Sequence, residues 1–104
     1  MLHSMELEEA AEQLEALGNK TRLAIYRDLV QAGAQGVTVG EIRENIEIPA
    51  STLSHHISKL VRSGLISQER VSRSLVCRAD FENMDSLIMF LAHNCCSDDS
   101  SIWG

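Results

Sequence analysis

Apolar side chains recur every three or four residues in five segments of the chain, which is the spacing of helices with one buried face. The segments are residues 4–17, 20–31, 38–45, 51–63 and 81–95. After Gly64 the spacing changes to two as far as Ala79, which is typical of β-strands. The pattern predicts a mainly α fold with one small β-hairpin between the fourth and fifth helices.

Residues that favour helix ends stand where these segments begin and end. The predicted N-caps are Ser4, Asn19, Thr38, Ser51 and Asp80. Glu41 follows Thr38 by three residues, so this pair predicts a capping box. Gly18 and Gly64 suit the residue that follows a helix C-terminus.

The fourth segment has an apolar face and a polar face of unusual composition. Its predicted buried residues are Leu53, Ile57, Leu60 and Val61. The opposite face consists of Thr52, Ser54, His55, Ser58, Lys59 and Arg62, without an acidic residue. Hydroxyl side chains are weak helix formers, so helix propensity does not explain them. Short polar groups together with cations suit a helix that enters the DNA major groove.

The predicted hairpin follows this helix directly. Its strands are Leu65–Arg70 and Ser74–Ala79, joined by Val71–Arg73, and its arginines are Arg70, Arg73 and Arg78. A basic hairpin at this position is a wing that can reach flanking phosphates or the minor groove. The predicted DNA-contacting residues are Ser51, Thr52, Ser54, His55, Lys59, Arg62 and, in the wing, Arg73. His56 lies nearer the buried side and is predicted to be structural.

The charge of the chain supports this assignment only when its distribution is considered. The net charge is −6, yet all nine basic residues lie within residues 20–78. Five acidic residues lie in 1–19 and five in 79–104, where there is no Lys or Arg. A basic middle between acidic ends is compatible with a DNA-binding face whose acidic ends point away from DNA.

The remaining helices supply the predicted core. The first should bury Leu7, Ala10, Ala11, Leu14 and Leu17, the second Leu23, Ile25, Tyr26, Leu29 and Val30, and the third Ile42 and Ile46. The last helix is apolar around most of its circumference, through Phe81, Met84, Leu87, Ile88, Met89, Phe90 and Leu91. A domain of this size cannot easily cover such a helix, so we expect it to pair with the first helix and with a second subunit.

The totals place limits on the class of protein. At 104 residues the chain is expected to form one domain, with an ordered core over 4–96 and a mobile tail over 97–104. Its apolar runs are too short to cross a membrane and no secretory signal is visible, so we expect a cytoplasmic protein. No phosphate loop, zinc-hydrolase motif or nucleophile motif indicates an enzyme.

The order of these elements resembles that of the ArsR/SmtB family of bacterial repressors. The segments that carry the resemblance are Asn19–Leu23, Ser51–Ile57, Leu60–Ile66 and Cys77–Phe81, and it extends over about residues 4–96. The resemblance implies a homodimeric winged helix-turn-helix that dimerises through its first and last helices. It also implies binding to a palindromic operator, which is released when an inducer binds.

Family members carry their inducer sites in different elements. One is a cysteine box in the third helix, which has no cysteine in this chain. Another holds zinc with Asp and His pairs on the last helix, where this chain has His93 as its single histidine. The candidate ligands that remain are Cys77, Cys95 and Cys96, which should stay reduced in the cytoplasm.

The cysteines indicate a soft, thiophilic inducer. The Cys95–Cys96 pair after an apolar last helix looks like that of arsenic-responsive family members, so we expect a trivalent arsenical. Three thiolates would hold arsenite, and two would hold an organoarsenical. Adjacent residues of a regular helix point about 100° apart, which would favour Cys77 with one of the pair. The site could lie within one subunit or across two.

Three alternatives remain open at this point. Cys77 could be a small core residue, because free cysteine is often buried. A disulfide between Cys77 and one C-terminal cysteine would make a redox or persulfide sensor. The winged helix could also bind protein instead of DNA.

Overall fold

The structure is a computed structural model that describes residues 5–93. Its helices are α1 (Leu7–Leu17), α2 (Lys20–Ala32), α3 (Val39–Asn45), α4 (Ala50–Arg62) and α5 (Phe81–Ala92). Its strands are β1 (Val37–Thr38), β2 (Ile66–Val71) and β3 (Ser74–Ala79). The predicted fold class, a mainly α winged helix-turn-helix with a small β-hairpin, is confirmed.

Three of the predicted helix starts are confirmed by hydrogen bonds. The side chains of Asn19 and Asp80 each accept a hydrogen bond from a backbone N–H in the first turn of α2 and α5. Thr38 and Glu41 form the complete capping box of α3. These caps fix where α2, α3 and α5 begin, because each satisfies backbone donors that have no partner inside the helix.

The predicted N-cap at Ser51 is wrong. The helix α4 begins at Ala50, and the residue at its N-cap is Pro49, with φ −58° and ψ 146°. Proline fixes φ near this value and lacks an N–H, so it stands before a first turn without losing a hydrogen bond. Ser51 is therefore in the first turn of α4, with an exposed side chain. The predicted start of the first helix at Ser4 is also wrong, because α1 begins at Leu7 and the residue at its N-cap is Glu6. Ser4 itself lies outside the described residues.

The sheet contains a strand that the sequence pattern did not predict. Its order is β1-β3-β2, so β3 is central, and both Val37 of β1 and Gln68 of β2 pair with Cys77. The approach of β1 depends on Gly36 (φ +75°), where a Cβ would lie 2.7 Å from the Cys77 carbonyl oxygen. The hairpin turn is Ser72-Arg73, because β2 includes Val71.

The core lies where α2, α3, α4 and the sheet meet. Its fully buried side chains include Ile25, Leu29, Ile42, Leu53, Leu60 and Leu65. The predicted inward faces of α2 and α4 are confirmed at most positions, with Leu23 as an exposed exception. This packing holds the two helices of the helix-turn-helix in a fixed relation to the hairpin.

The predicted buried face of α1 is only partly correct. The buried residues of α1 are Ala10, Gln13 and Ala16, whereas Leu7 is 72% exposed and Leu14 is 42% exposed. Gln13 is buried because its Nε2 donates a hydrogen bond to the Ser63 carbonyl oxygen at 3.1 Å. Small side chains at Ala10 and Ala16 allow α1 to lie close to the domain, so Leu7 and Leu14 project outward, whereas Leu17 packs against the core as predicted.

The last helix contacts α1 as predicted and leaves a large part of its apolar surface exposed. Leu87 is buried, whereas Ile88, Met89 and Leu91 are each more than half exposed. The helix ends at Ala92, before the predicted end at Cys95, and both Cys95 and Cys96 lie outside the described residues. None of the helices within residues 5–93 has the length and apolar character needed to span a membrane.

Candidate nucleic-acid interface and thiol site

The polar face of α4 is exposed and contains no acidic side chain. Its apolar residues Leu53, Ile57 and Leu60 are buried in the core. The exposed side chains on the other side are Ser51, Thr52, Ser54, His55, Ser58 and Arg62. The structure therefore brings the predicted α4 contacts together on one continuous surface, with Arg73 exposed on the neighbouring hairpin turn.

Lys59 stands at the edge of this surface and has a partner in α1. Its Nζ lies 3.6 Å from Oε1 of Glu15, a side chain that is 72% exposed. An ion pair as open to solvent as this contributes little to stability. Lys59 can therefore exchange Glu15 for a phosphate at small cost.

The arginines of the hairpin have different surroundings. Arg70 and Arg73 are exposed near the turn. Arg78 pairs with Ser67 at the base of the hairpin, and its Nη1 lies 2.7 Å from Oε1 of Glu69. Its Nε also donates to the Ala34 carbonyl oxygen at 2.9 Å. Arg78 therefore ties the hairpin to the connection after α2, whereas the turn presents Arg73.

His56 occupies the partly buried side of α4, as predicted. Arg22 of α2 places its Nη1 3.1 Å from His56 Nδ1 and donates from Nε to the Ala16 carbonyl oxygen at 2.6 Å. Burial lowers the pKa of His56, and the neighbouring Arg22 and His55 lower it further. A neutral His56 accepts from Arg22, so this contact links α4 to α2 and α1.

A groove runs between α4 and the hairpin, and the sequence analysis did not identify all of the residues that line it. The groove encloses about 420 Å³ and is lined by residues of α3, α4, β2 and β3. Arg62 belongs to the predicted DNA-contacting set. Arg43 of α3 lines the same groove but was not predicted to contact DNA. The sequence signal for Arg43 was its place in the helix that precedes α4.

Cys77 is fully buried at the centre of the sheet. Its exposure is 0%, and Gln68 Nε2 lies 3.6 Å from its Sγ. Burial raises the pKa of the Cys77 thiol, and the hydrogen bond from Gln68 offsets only part of that effect. The thiolate is the form that binds metals and metalloids, so Cys77 must be deprotonated and uncovered before it can act as a ligand.

Of the three candidate thiols the structure describes only Cys77, since Cys95 and Cys96 lie outside the described residues. Within residues 5–93, no group of three or more His, Cys, Asp or Glu side chains is arranged to hold a metal ion.

A helix-turn-helix whose second helix exposes an acid-free polar face, followed by a hairpin with arginines near its turn, defines a winged-helix DNA-binding protein. A family model described as a helix-turn-helix domain matches residues 17–69, and the chain belongs to that family.

The similar proteins agree with this class. The uncharacterized HTH-type transcriptional regulator YbzH of Bacillus subtilis (strain 168) is 30% identical over 95 residues, which is 80% of this chain and 95% of that protein. The crystal structure of the ArsR family regulator RHA00566 is similar with a TM-score of 0.78 and 22% identity, over 94% of this chain and 98% of the other. Reduced HlyU from Vibrio cholerae N16961 is similar with a TM-score of 0.63 and 26% identity, over 83% and 90%.

YbzH and RHA00566 are described as transcriptional regulators, and the family and fold are those of regulators and not of enzymes, as the sequence predicted. The chain is a transcriptional regulator with an ArsR/SmtB-like winged helix-turn-helix fold.

Proposed function

We propose that this protein is a homodimeric repressor that binds a palindromic operator and releases it on binding a trivalent arsenical through cysteine thiolates. The observation that carries the DNA-binding part is the exposed, acid-free face of α4 beside the exposed Arg73. Hydroxyl and imidazole groups on this face can donate to and accept from base edges, and the cations can contact phosphates.

Dimerisation is supported by the apolar surface that one protomer leaves uncovered. Leu7 and Leu14 of α1, and Ile88, Met89 and Leu91 of α5, are exposed. Side chains of this size in contact with water favour association with another surface. A twofold dimer formed through α1 and α5 would present two copies of α4, which is what a palindromic operator requires.

Selection from a pool of random DNA duplexes tests this part directly. We expect enrichment of a palindrome whose half-sites lie about one helical turn apart, roughly 10 base pairs. Affinity for the selected duplex should fall steeply with rising salt, because phosphate contacts release counterions. A failure to enrich any sequence at low salt, with the protein folded, would contradict DNA binding and favour a protein-contacting role.

The arsenical part is supported by the chemistry and spacing of the cysteines. Thiolates prefer soft centres, and the Cys95–Cys96 pair resembles that of arsenic-responsive family members. Cys77 is fully buried, so it can act as a ligand only if the sheet opens. We therefore favour an organoarsenical, which needs only two thiolates, bound by Cys95 and Cys96.

Titration of the protein–operator complex with methylarsenite, phenylarsine oxide, arsenite, antimonite and zinc tests the inducer. We expect the organoarsenicals to release the operator from the Cys77→Ala variant but not from Cys95→Ser/Cys96→Ser. An unchanged response when all three cysteines are replaced would refute the proposed site. Release by peroxide or polysulfide, reversed by dithiothreitol, would instead favour the redox alternative.

A further inference from the structure

A cleft between α2 and α5 encloses about 330 Å³ and has an apolar interior. This volume is at the lower end of the roughly 300–1,000 Å³ that small-molecule sites occupy. Its apolar lining comes from α1, α2 and α5 and consists of Leu17, Leu23, Val30, Met84, Leu87 and Ile88. Tyr26, Arg27 and Gln31 of α2 complete the lining, which includes no Asp or Glu among the residues that the structure describes. The cleft therefore has the size and the apolar character of a ligand site.

The hydroxyl of Tyr26 is a buried polar group without a partner. Tyr26 is 6% exposed, and its hydroxyl oxygen makes no hydrogen bond within the described part of the chain. Burial raises the pKa of Tyr26 to about 12, with a further contribution from the carboxylates of Asp80 and Asp85, so the hydroxyl is a neutral donor at neutral pH. Buried hydroxyls are normally paired. A neutral acceptor on a bound molecule would supply the partner that the described residues do not.

The exposed polar groups of the cleft are donors. Arg27 and Gln31 are four residues apart on α2, so their side chains lie on the same face of the helix. Arg27 takes part in none of the ion pairs found among the described residues. A guanidinium without an ion-pair partner suits an anionic head group, to which the Gln31 amide can add a hydrogen bond. Asp80 and Asp85 disfavour an anion near the Tyr26 hydroxyl, so the charges give a bound molecule one orientation.

We propose that this cleft is a binding site for a small apolar carboxylate that carries a neutral oxygen at its other end, such as an ω-hydroxy acid of medium chain length. The carboxylate contacts Arg27 and Gln31, the hydrocarbon chain fills the apolar interior, and the far oxygen accepts a hydrogen bond from Tyr26. The site does not depend on DNA binding or on the cysteines, so it would give the protein a second effector.

Calorimetric titration of the free protein with octanoate, decanoate and their ω-hydroxy forms tests the site. We expect Arg27→Ala to weaken binding of all four acids at least ~10-fold, because it removes a charge-assisted hydrogen bond. Tyr26→Phe should weaken the ω-hydroxy acids about 5-fold and leave the simple acids unchanged. Arg70→Ala is the matched control, since Arg70 is an exposed arginine of β2 that does not line the cleft.

Tyr26 also reports directly on entry into the cleft. It is the single tyrosine of the chain, so an isotopic label on the ring carbon that bears the hydroxyl gives one magnetic resonance signal. We expect the ω-hydroxy acids to shift this signal in the unsubstituted protein and in Arg70→Ala at the same concentrations.

The remaining outcomes would overturn the site. Absence of binding by all four acids would mean that the cleft is closed, for example by a second subunit. Equal losses in Arg27→Ala and Arg70→Ala would report total charge instead of a local contact. An equal loss of simple and ω-hydroxy acids in Tyr26→Phe would remove the contact assigned to the hydroxyl. Because the free protein is titrated, none of these results bears on operator binding or on its release by arsenicals.

Discussion

At the scale of single residues, the structure places two chemically active groups in contacts that restrain them. Cys77 is a thiol at the centre of the sheet, and His56 is an imidazole held by Arg22. Burial lowers the pKa of His56 and raises the pKa of Cys77, and both shifts favour the neutral form of the group. Cys77 is therefore held as the less reactive thiol, and His56 as a neutral imidazole that can accept from Arg22.

The reactivity of Cys77 follows from this burial. In the Cys95→Ser/Cys96→Ser variant it is the sole thiol, and we expect an aromatic disulfide reagent at neutral pH to modify it ~100-fold more slowly than in the unfolded chain. Absorbance of the released thiolate measures the rate. Modification of the native variant at the unfolded rate would show that the sheet opens readily, and would restore Cys77 as an arsenical ligand.

His56 should make stability depend on pH in the mildly acidic range. Its pKa is lowered by folding, so below about pH 6.5 the unfolded chain takes up a proton that the folded protein resists. The free energy of unfolding should therefore fall as the pH falls from about 7 to about 5.

The matched variant is His56→Asn, which keeps an acceptor for Arg22 but does not titrate. Urea unfolding across the same pH range should show a smaller decline for this variant than for the unsubstituted protein. Parallel curves would mean that His56 is not the group responsible.

At the scale of elements, the C-terminal end of α4 is fastened from two sides. Gln13 of α1 donates to the Ser63 carbonyl, and Asn83 Nδ2 of α5 donates to the Gly64 carbonyl at 2.6 Å. Gly64 makes this turn possible, because its φ is +85°. The reading helix is thereby attached to both helices that are expected to form the dimer.

Removing the α5 attachment should destabilise the domain. Asn83→Ala leaves the Gly64 carbonyl oxygen without its side-chain donor in a partly buried site, at a cost of about 1–2 kcal/mol in the free energy of unfolding. Thermal unfolding measures the change. Asn45→Ala is the control, because Asn45 is an exposed residue at the end of α3. Equal melting temperatures for the two variants would contradict a structural role for Asn83.

The elements that sequence reasoning identified were those with a strong local signal. The box Thr38–Glu41 and the caps Asn19 and Asp80 are local hydrogen-bonding patterns, so they could be predicted. The strand β1 could not, because two residues carry no periodicity and their pairing with β3 is set by distant sequence. The burial of Gln13 in place of Leu14 also depends on a tertiary partner, the Ser63 carbonyl.

The site was predictable to a similar extent. The polar face of α4 follows from helical spacing alone, so its exposed residues were identified in advance. The position of Arg43 in the groove could not be predicted, because it depends on how α3, α4 and the hairpin pack together, which residue spacing does not show. The burial of Cys77 had been left open, because its strand alternation did not show that α2 and α3 pack against β3.

At the scale of the whole molecule, one protomer leaves several large apolar side chains exposed to water. Met89 is 58% exposed and Ile88 55% exposed on α5, and Leu7 projects from α1. A second subunit would remove these side chains from water. The proposed dimer therefore accounts for α5, which is apolar on more sides than its own domain can cover.

A charge within this surface should separate the subunits. Met89→Glu places a carboxylate in the expected interface of both protomers, and we expect the dimer dissociation constant to rise at least ~100-fold, or about 3 kcal/mol. Sedimentation velocity measures the species present. Asn45→Glu adds the same charge to the exposed end of α3 and should leave the dimer unchanged. A dimer that survives Met89→Glu would place the interface elsewhere.

The basic residues lie apart from the acidic ends of the chain, and this affects both the rate and the affinity of DNA binding. At about 0.15 M salt the Debye length is about 8 Å, so an approaching DNA duplex interacts only with the charges of the protein face that it meets. Protein molecules that approach with an acidic face toward the duplex are repelled. At about 0.01 M the length grows to about 30 Å, and the duplex senses the net charge of −6. Diluting the salt should therefore strengthen binding with diminishing returns, so a plot of log affinity against log salt should bend toward a plateau.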